Sequence, residues 1–157
     1  MMKIRILILT ICITFSCKEQ LELNYKVVNL DSVISKLKDS RIIDESLFRI
    51  RESAILTNEE IYQVRELLEK SFKNYNKTNY YKEILKIKEY RLFFIPYRSS
   101  KNEKLVRIHA YCFDGEEEEW WEFEYLYGVE DGGSCYFGLV VNLSLNKEGV
   151  IIANGRA

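Results

Sequence analysis

The sequence predicts an α+β domain: one main helix packed on an antiparallel meander sheet of four to five strands. Three observations carry this. Residues 57–74 place apolar side chains at helical spacing on one face. Residues 88–153 hold successive segments in which apolar and polar residues alternate. Glu130-Asp131-Gly132-Gly133-Ser134, a glycine-rich turn, separates two of those segments. The 157 residues, 47% hydrophobic and 30% charged, suit one domain with a real core.

The helix announces its own start. Thr57 followed by Glu60 is a capping box, and Leu56 with Ile61 supplies a hydrophobic staple. Ile61, Val64, Leu67, Leu68, Ser71 and Phe72 then line one face, opposite Glu59, Arg65, Glu66 and Lys73, to about Asn74. Residues 76–79 end it. Upstream, Leu30–Leu37 reads as a short helix with Val33, Ile34 and Leu37 on one side, and residues 47–56 read either as a strand or as an extended lead-in.

The strands fall at about 88–97, 104–113, 119–129, 135–145 and 150–153. Pro96 marks the first as an edge strand. The hairpin from Trp120 to Leu145 is expected at the centre of the sheet. A tight loop at Asp114–Glu117 would set Tyr111 opposite Trp120, His109 opposite Glu122 and Arg107 opposite Glu124, with large residues facing small ones and opposite charges paired. One face is then dry: Val106, Ile108, Ala110, Cys112, Trp121, Phe123, Tyr125, Phe137, Leu139 and Val141. The other is mixed, with Leu92, Phe94, Arg107, His109, Tyr111, Trp120, Glu122, Glu124, Tyr136, Val140 and Asn142. This meander also separates Cys112 from Cys135 by an intervening strand and by the length of the sheet, so the expectation is two free, buried thiols.

Residues 1–16 read as a signal peptide: Lys3 and Arg5, then the apolar run Ile6–Phe15, then Ser16. That run is too short to span a bilayer and suits export. Thr14-Phe15-Ser16-Cys17 resembles the lipobox of bacterial lipoproteins, which implies acylation of Cys17 and anchoring in a lipid bilayer. Residues 17–29 are expected to be a tether and 30–157 the domain. After removal of the signal, 21 basic groups face 24 acidic ones, a net charge of −3. Residues 101–157 alone carry 5 basic and 11 acidic groups, which argues against a nucleic-acid face.

A helix followed by an antiparallel meander resembles the cystatin-like and NTF2-like folds. The chain is also similar to a group of small bacterial lipoproteins. That similarity rests on Cys17, the Leu56-Thr57-Asn58-Glu59-Glu60-Ile61 helix start, and the C-terminal pattern Asp131-Gly132-Gly133-x-Cys135-Tyr136-Phe137, Asn142-Leu143, Asn154-Gly155-x-Ala157. It implies outer-membrane attachment, facing the periplasm or the surface, and no activity.

Chemistry is thinly signalled. His109 is the one histidine, and beside Glu122 it would form a His–carboxylate pair of the kind that orients a general base. No nucleophile falls next to it, so a surface cross-strand pair is the plainer reading. Asp114 and Glu116–Glu119 form an acidic loop whose spacing fits no calcium-loop motif. Asp131-Gly132-Gly133 reads as a turn that needs positive φ. No cofactor or metal motif is present. The mixed face has the makeup of a protein interface, aromatic anchors with polar groups between them: Arg107, His109, Tyr111, Trp120, Glu122, Glu124, Tyr136 and Asn142. Equally, residues 26–55 could fold over it. The expected function is an anchored protein-binding module, an inhibitor, immunity-type or accessory subunit. The rival is a small hydrolase or isomerase using His109 and Glu122.

Overall fold

The computed structural model describes residues 23–40, 52–78, 84–112 and 133–153. In chain order these form β1 (Asn24–Val27), α1 (Leu30–Ser40), β2 (Glu52–Ser53), α2 (Asn58–Thr78), β3 (Tyr90–Arg98), β4 (Lys104–Cys112), β5 (Tyr136–Asn142) and β6 (Ile152–Ala153). Short 3-10 turns at Ile87–Glu89 and Gly133–Cys135 lead into β3 and β5. The class is α+β with one main helix on an open sheet, as expected. The sheet is mixed rather than wholly antiparallel, in the order β1-β3-β4-β5-β6, with β2 beside β3.

α2 begins where the sequence says it should. The Thr57 amide donates to Glu60 Oε2 at 2.8 Å and the Glu60 amide donates to Thr57 Oγ1 at 3.2 Å, so two otherwise orphaned donors are satisfied reciprocally. Val64, Leu67, Leu68, Ser71 and Phe72 are its buried face. They pack on Leu92, Phe94, Val106, Ile108, Ala110, Phe137, Leu139 and Val141 in one core. The helix runs a turn beyond Asn74. Tyr75 packs against the core, and the Asn76 side-chain amide brackets the Leu85 backbone with two hydrogen bonds of 2.9 Å. Ser71 closes the far side: its hydroxyl donates to the Leu67 carbonyl at 2.9 Å and accepts from the Gly149 amide at 3.1 Å. Gly149 lies against the Val140 carbonyl so closely that no Cβ fits there.

The strand pairing departs from the expected meander. β4 pairs antiparallel with β3 on one edge (Leu92 opposite Ala110, Phe94 opposite Ile108) and with β5 on the other (Ala110 opposite Phe137, Ile108 opposite Leu139). Both edges of β4 are therefore taken, which leaves none for the pairs expected with Trp120, Glu122 and Glu124. The sheet is centred on β4, not on a 120–145 hairpin. The expected strand at 119–129 and its dry-face residues Trp121, Phe123 and Tyr125 lie outside the described residues.

The same register corrects the expectation of free thiols. Continued by one residue, it sets Cys135 opposite Cys112, and the two form a disulfide with Cα atoms 4.7 Å apart. The two cysteines meet because β4 and β5 are direct neighbours, with no strand between them. Gly133, just ahead, has φ +54°, so one glycine of the expected turn does need the left-handed region.

Pro96 does not mark an edge strand. β3 has β4 on one side, and β1 (parallel) then β2 (antiparallel) on the other. Val28 donates to the Phe94 carbonyl and Ala54 to the Pro96 carbonyl, so the missing Pro96 donor points to the interval between those two short partners.

One of those partners falls in a stretch assigned otherwise, and the helix after it starts where the sequence places it, at Leu30. Residues 24–27, expected to be tether, are β1, held by the Tyr25–Phe94 ring stack at 5.0 Å. α1 is capped by Asn29, whose Oδ1 accepts from the Asp31 amide at 2.7 Å. Its Leu30 and Val33 are buried on Phe93, Ile95 and Tyr97 in a second core. Phe93 and Ile95 alternate with Leu92 and Phe94, so α1 and α2 cover opposite faces of β3.

Candidate binding face

The face opposite α2 is built from alternate residues of three paired strands. β3 contributes Arg91, Phe93, Ile95 and Tyr97, β4 contributes Leu105, Arg107, His109 and Tyr111, and β5 contributes Tyr136, Gly138, Val140 and Asn142. Leu92 and Phe94, assigned here from the sequence, belong to the α2 core instead. The reason is that β3 is buried on both faces, so its apolar run carries no alternation from which to read parity.

α1 covers the β3 side, so residues 26–55 do in part fold over this face. Toward β5 and β6, Arg107, His109, Tyr136, Val140 and Asn142 are half-buried, and Ile152 is 72% exposed. Tyr111 is not an exposed anchor. It is buried, its ring edge-on to Phe93 at 5.7 Å and to Tyr136 at 5.1 Å. Arg107 stands between Ile95 and Val140. Burial raises the hydroxyl pKa of nearby Tyr97, and the Arg107 charge pulls it the other way.

His109 has Phe93 and Gly138 as its cross-strand neighbours, not Glu122. The strand register that would have oriented a His–carboxylate pair is thus replaced. Asn142 serves the chain itself: its Oδ1 accepts from the Leu145 amide at 3.0 Å, and its backbone exchanges two 2.9 Å bonds with Lys147 to close a turn. Asn146 completes that turn with φ +48° and, with the Leu143 carbonyl, accepts from the Gln63 side chain. Trp120, Glu122, Glu124, the acidic loop at 114–119, Asn154-Gly155 and Cys17 lie outside the described residues.

The face that the sequence predicts omits Arg91, Phe93, Ile95, Tyr97, Leu105 and Gly138. Arg91 is only 4% exposed and sits on this face opposite Tyr111. Its two-residue spacing from Phe93 and Ile95 was the available signal, hidden by the wrong parity. Gly138 leaves a gap between His109 and Ile152, where an added Cβ would meet only the Ile108 carbonyl at 3.8 Å. Among the described residues no three His, Cys, Asp or Glu side chains gather to hold a metal, and no helix is long and apolar enough to cross a membrane.

No protein-family model, no curated protein and no solved structure matches this chain.

Proposed function

We propose that this is a lipid-anchored, exported protein whose open sheet face binds a protein partner, in an inhibitor, immunity-type or accessory role. The observation that carries the reading is the strip from Arg107 and His109 across Tyr136 and Val140 to Ile152. There aromatic and aliphatic surface, a cation and an imidazole share one rigid sheet beside α1. Such mixtures of aromatic or aliphatic anchors with polar groups recur at protein interfaces. The cystatin-like or NTF2-like likeness belongs to the same proposal. It rests on the long helix preceding β3, β4 and β5 in antiparallel succession.

Anchoring rests on the Ser16-Cys17 signal, and attachment to the outer membrane is the part of the proposal carried by the lipoprotein likeness alone. Cys17→Ser should release it to the soluble fraction. A variant that stays with membranes defeats the lipoprotein reading. For binding, a photo-crosslinking residue at position 152 should trap a partner in intact cells, and one at position 66, on the solvent face of α2, should not. Equal yield from the two positions would show that the sheet face has no special role.

A further inference from the structure

Sequence separation and strand direction together orient the molecule on its membrane. Leu23 already packs against the α2 core, and β1 follows it directly, with Asn24 beside Arg91. Cys17 is therefore six residues from a fixed point on the fold, and a fully extended chain covers at most about 21 Å in that distance. β1 runs parallel to β3, so this fixed point lies at the end of the sheet where β3 starts. The same end holds the Ile87–Glu89 turn, the Cys112–Cys135 bridge and the C-terminus of α2, which the Asn76–Leu85 bonds tie there.

The opposite end carries the Ser99–Glu103 turn, the Asn142–Lys147 turn and the Glu60–Lys104 ion pair. β3 has nine residues, about 30 Å of strand, so even a tether doubled straight back along the sheet would fall short of that end.

The geometry points to the end bearing Asn24, the Ile87–Glu89 turn and the disulfide as the surface that faces the lipid headgroups. This rests on the anchoring reading above. The side chains there suit such a neighbour. Ile84 is 67% exposed, and Lys77 at the end of α2 and Lys86 and Lys88 just after Ile84 are exposed too, with Lys86 engaging Glu89 at 2.8 Å. An exposed apolar side chain with long lysine stems near it in sequence suits the headgroup region. Asp114 and Glu116–Glu119 follow Cys112 in sequence, so the orientation rests on the short tether and not on attraction to anionic lipid. A consequence is that the open sheet face stands roughly upright on the bilayer and is reached from the side.

The test uses the lipidated full-length product carrying Lys88→Cys or Lys101→Cys, each labelled with bimane. With Cys17 acylated and the disulfide closed, the new thiol is the one that reacts. The proteins are placed in vesicles of phosphatidylethanolamine and phosphatidylglycerol containing a headgroup-nitroxide lipid. Fluorescence should be lost at position 88 and retained at position 101. Equal quenching, or quenching at 101 alone, overturns the orientation. Mass spectrometry of the same samples reports the acyl chains on Cys17. An absent anchor, which defeats the anchoring reading and this one with it, is thereby told apart from a wrong orientation.

Discussion

Glu60 is the residue at which local and long-range structure meet. Its carboxylate closes the capping box with Thr57 and also accepts from the Lys104 ammonium at the start of β4. Burial pushes its pKa up, but Lys104 and the Thr57 amide outweigh that, and the net shift is downward from the ordinary 4.5. A carboxyl with a lower pKa when folded stabilises the fold above 4.5 and loses that contribution as pH falls through its folded value. Glu60→Gln should therefore lower the urea midpoint at neutral pH and flatten the decline of the midpoint below pH 4.5. Parallel pH profiles for the two proteins would rule this out. Thr57→Ala tests the other half of the box. It removes the acceptor for the Glu60 amide and should cost about 1 kcal/mol in denaturant unfolding, whereas an unchanged midpoint would mean the cap contributes nothing.

At the level of elements, the disulfide ties the last residue of β4 to the residue just before β5, across a sequence separation of 23. Closing a loop of that length removes entropy from the unfolded chain, and the loop-length relation puts the stabilisation at about 3 kcal/mol. The double variant Cys112→Ala with Cys135→Ala should lose that much by urea titration, and a non-reduced digest of the parent should yield the linked peptide. Two free alkylated cysteines in the parent would contradict the β4–β5 register. That register also marks where sequence reading stops. Alternation in Val106-Arg107-Ile108-His109-Ala110 and in Phe137-Gly138-Leu139-Val140-Val141 assigns faces, and those faces are correct. Alternation does not say which strand is next to which, and the segment that follows β4 most closely in sequence is not the one paired with it. β1 was invisible for a different reason: a four-residue parallel strand carries no turn signal linking it to its partner. α2 was legible to the residue at its start because capping chemistry is local. Its end depended on Leu85, which lies beyond the helix, and local signals could not place it. Of the candidate face, Arg107, His109, Tyr111, Tyr136, Val140 and Asn142 are readable in the sequence, whereas Leu105, Gly138 and the β3 members are not.

For the whole molecule, the point at issue is where the domain begins. The sequence places the boundary at residue 30, with everything from Cys17 to Asn29 as spacer. In the structure Leu23 and Tyr25 pack against the main core, Val28 is buried in the second one, and Asn29 caps α1. Leu23 and Tyr25 add to the main layer, while Val28 and Asn29 hold α1 over Phe93 and Ile95, so this stretch belongs to the fold and is not a spacer. A chain beginning at Leu23 keeps all of these contacts and should unfold at the parent's urea midpoint. A chain beginning at Leu30 loses the burial of Val28, the Tyr25–Phe94 stack and the Asn29 cap. Summing typical values for those three gives a loss of roughly 3–5 kcal/mol, a large part of the margin of a small domain. The comparison decides what residues 23–29 are. If both chains unfold at the same midpoint, they are spacer and the fold begins at α1. If the shorter chain alone is destabilised, the fold begins at Leu23, six residues after Cys17, because β1 and the Asn29 cap are what keep α1 on the sheet.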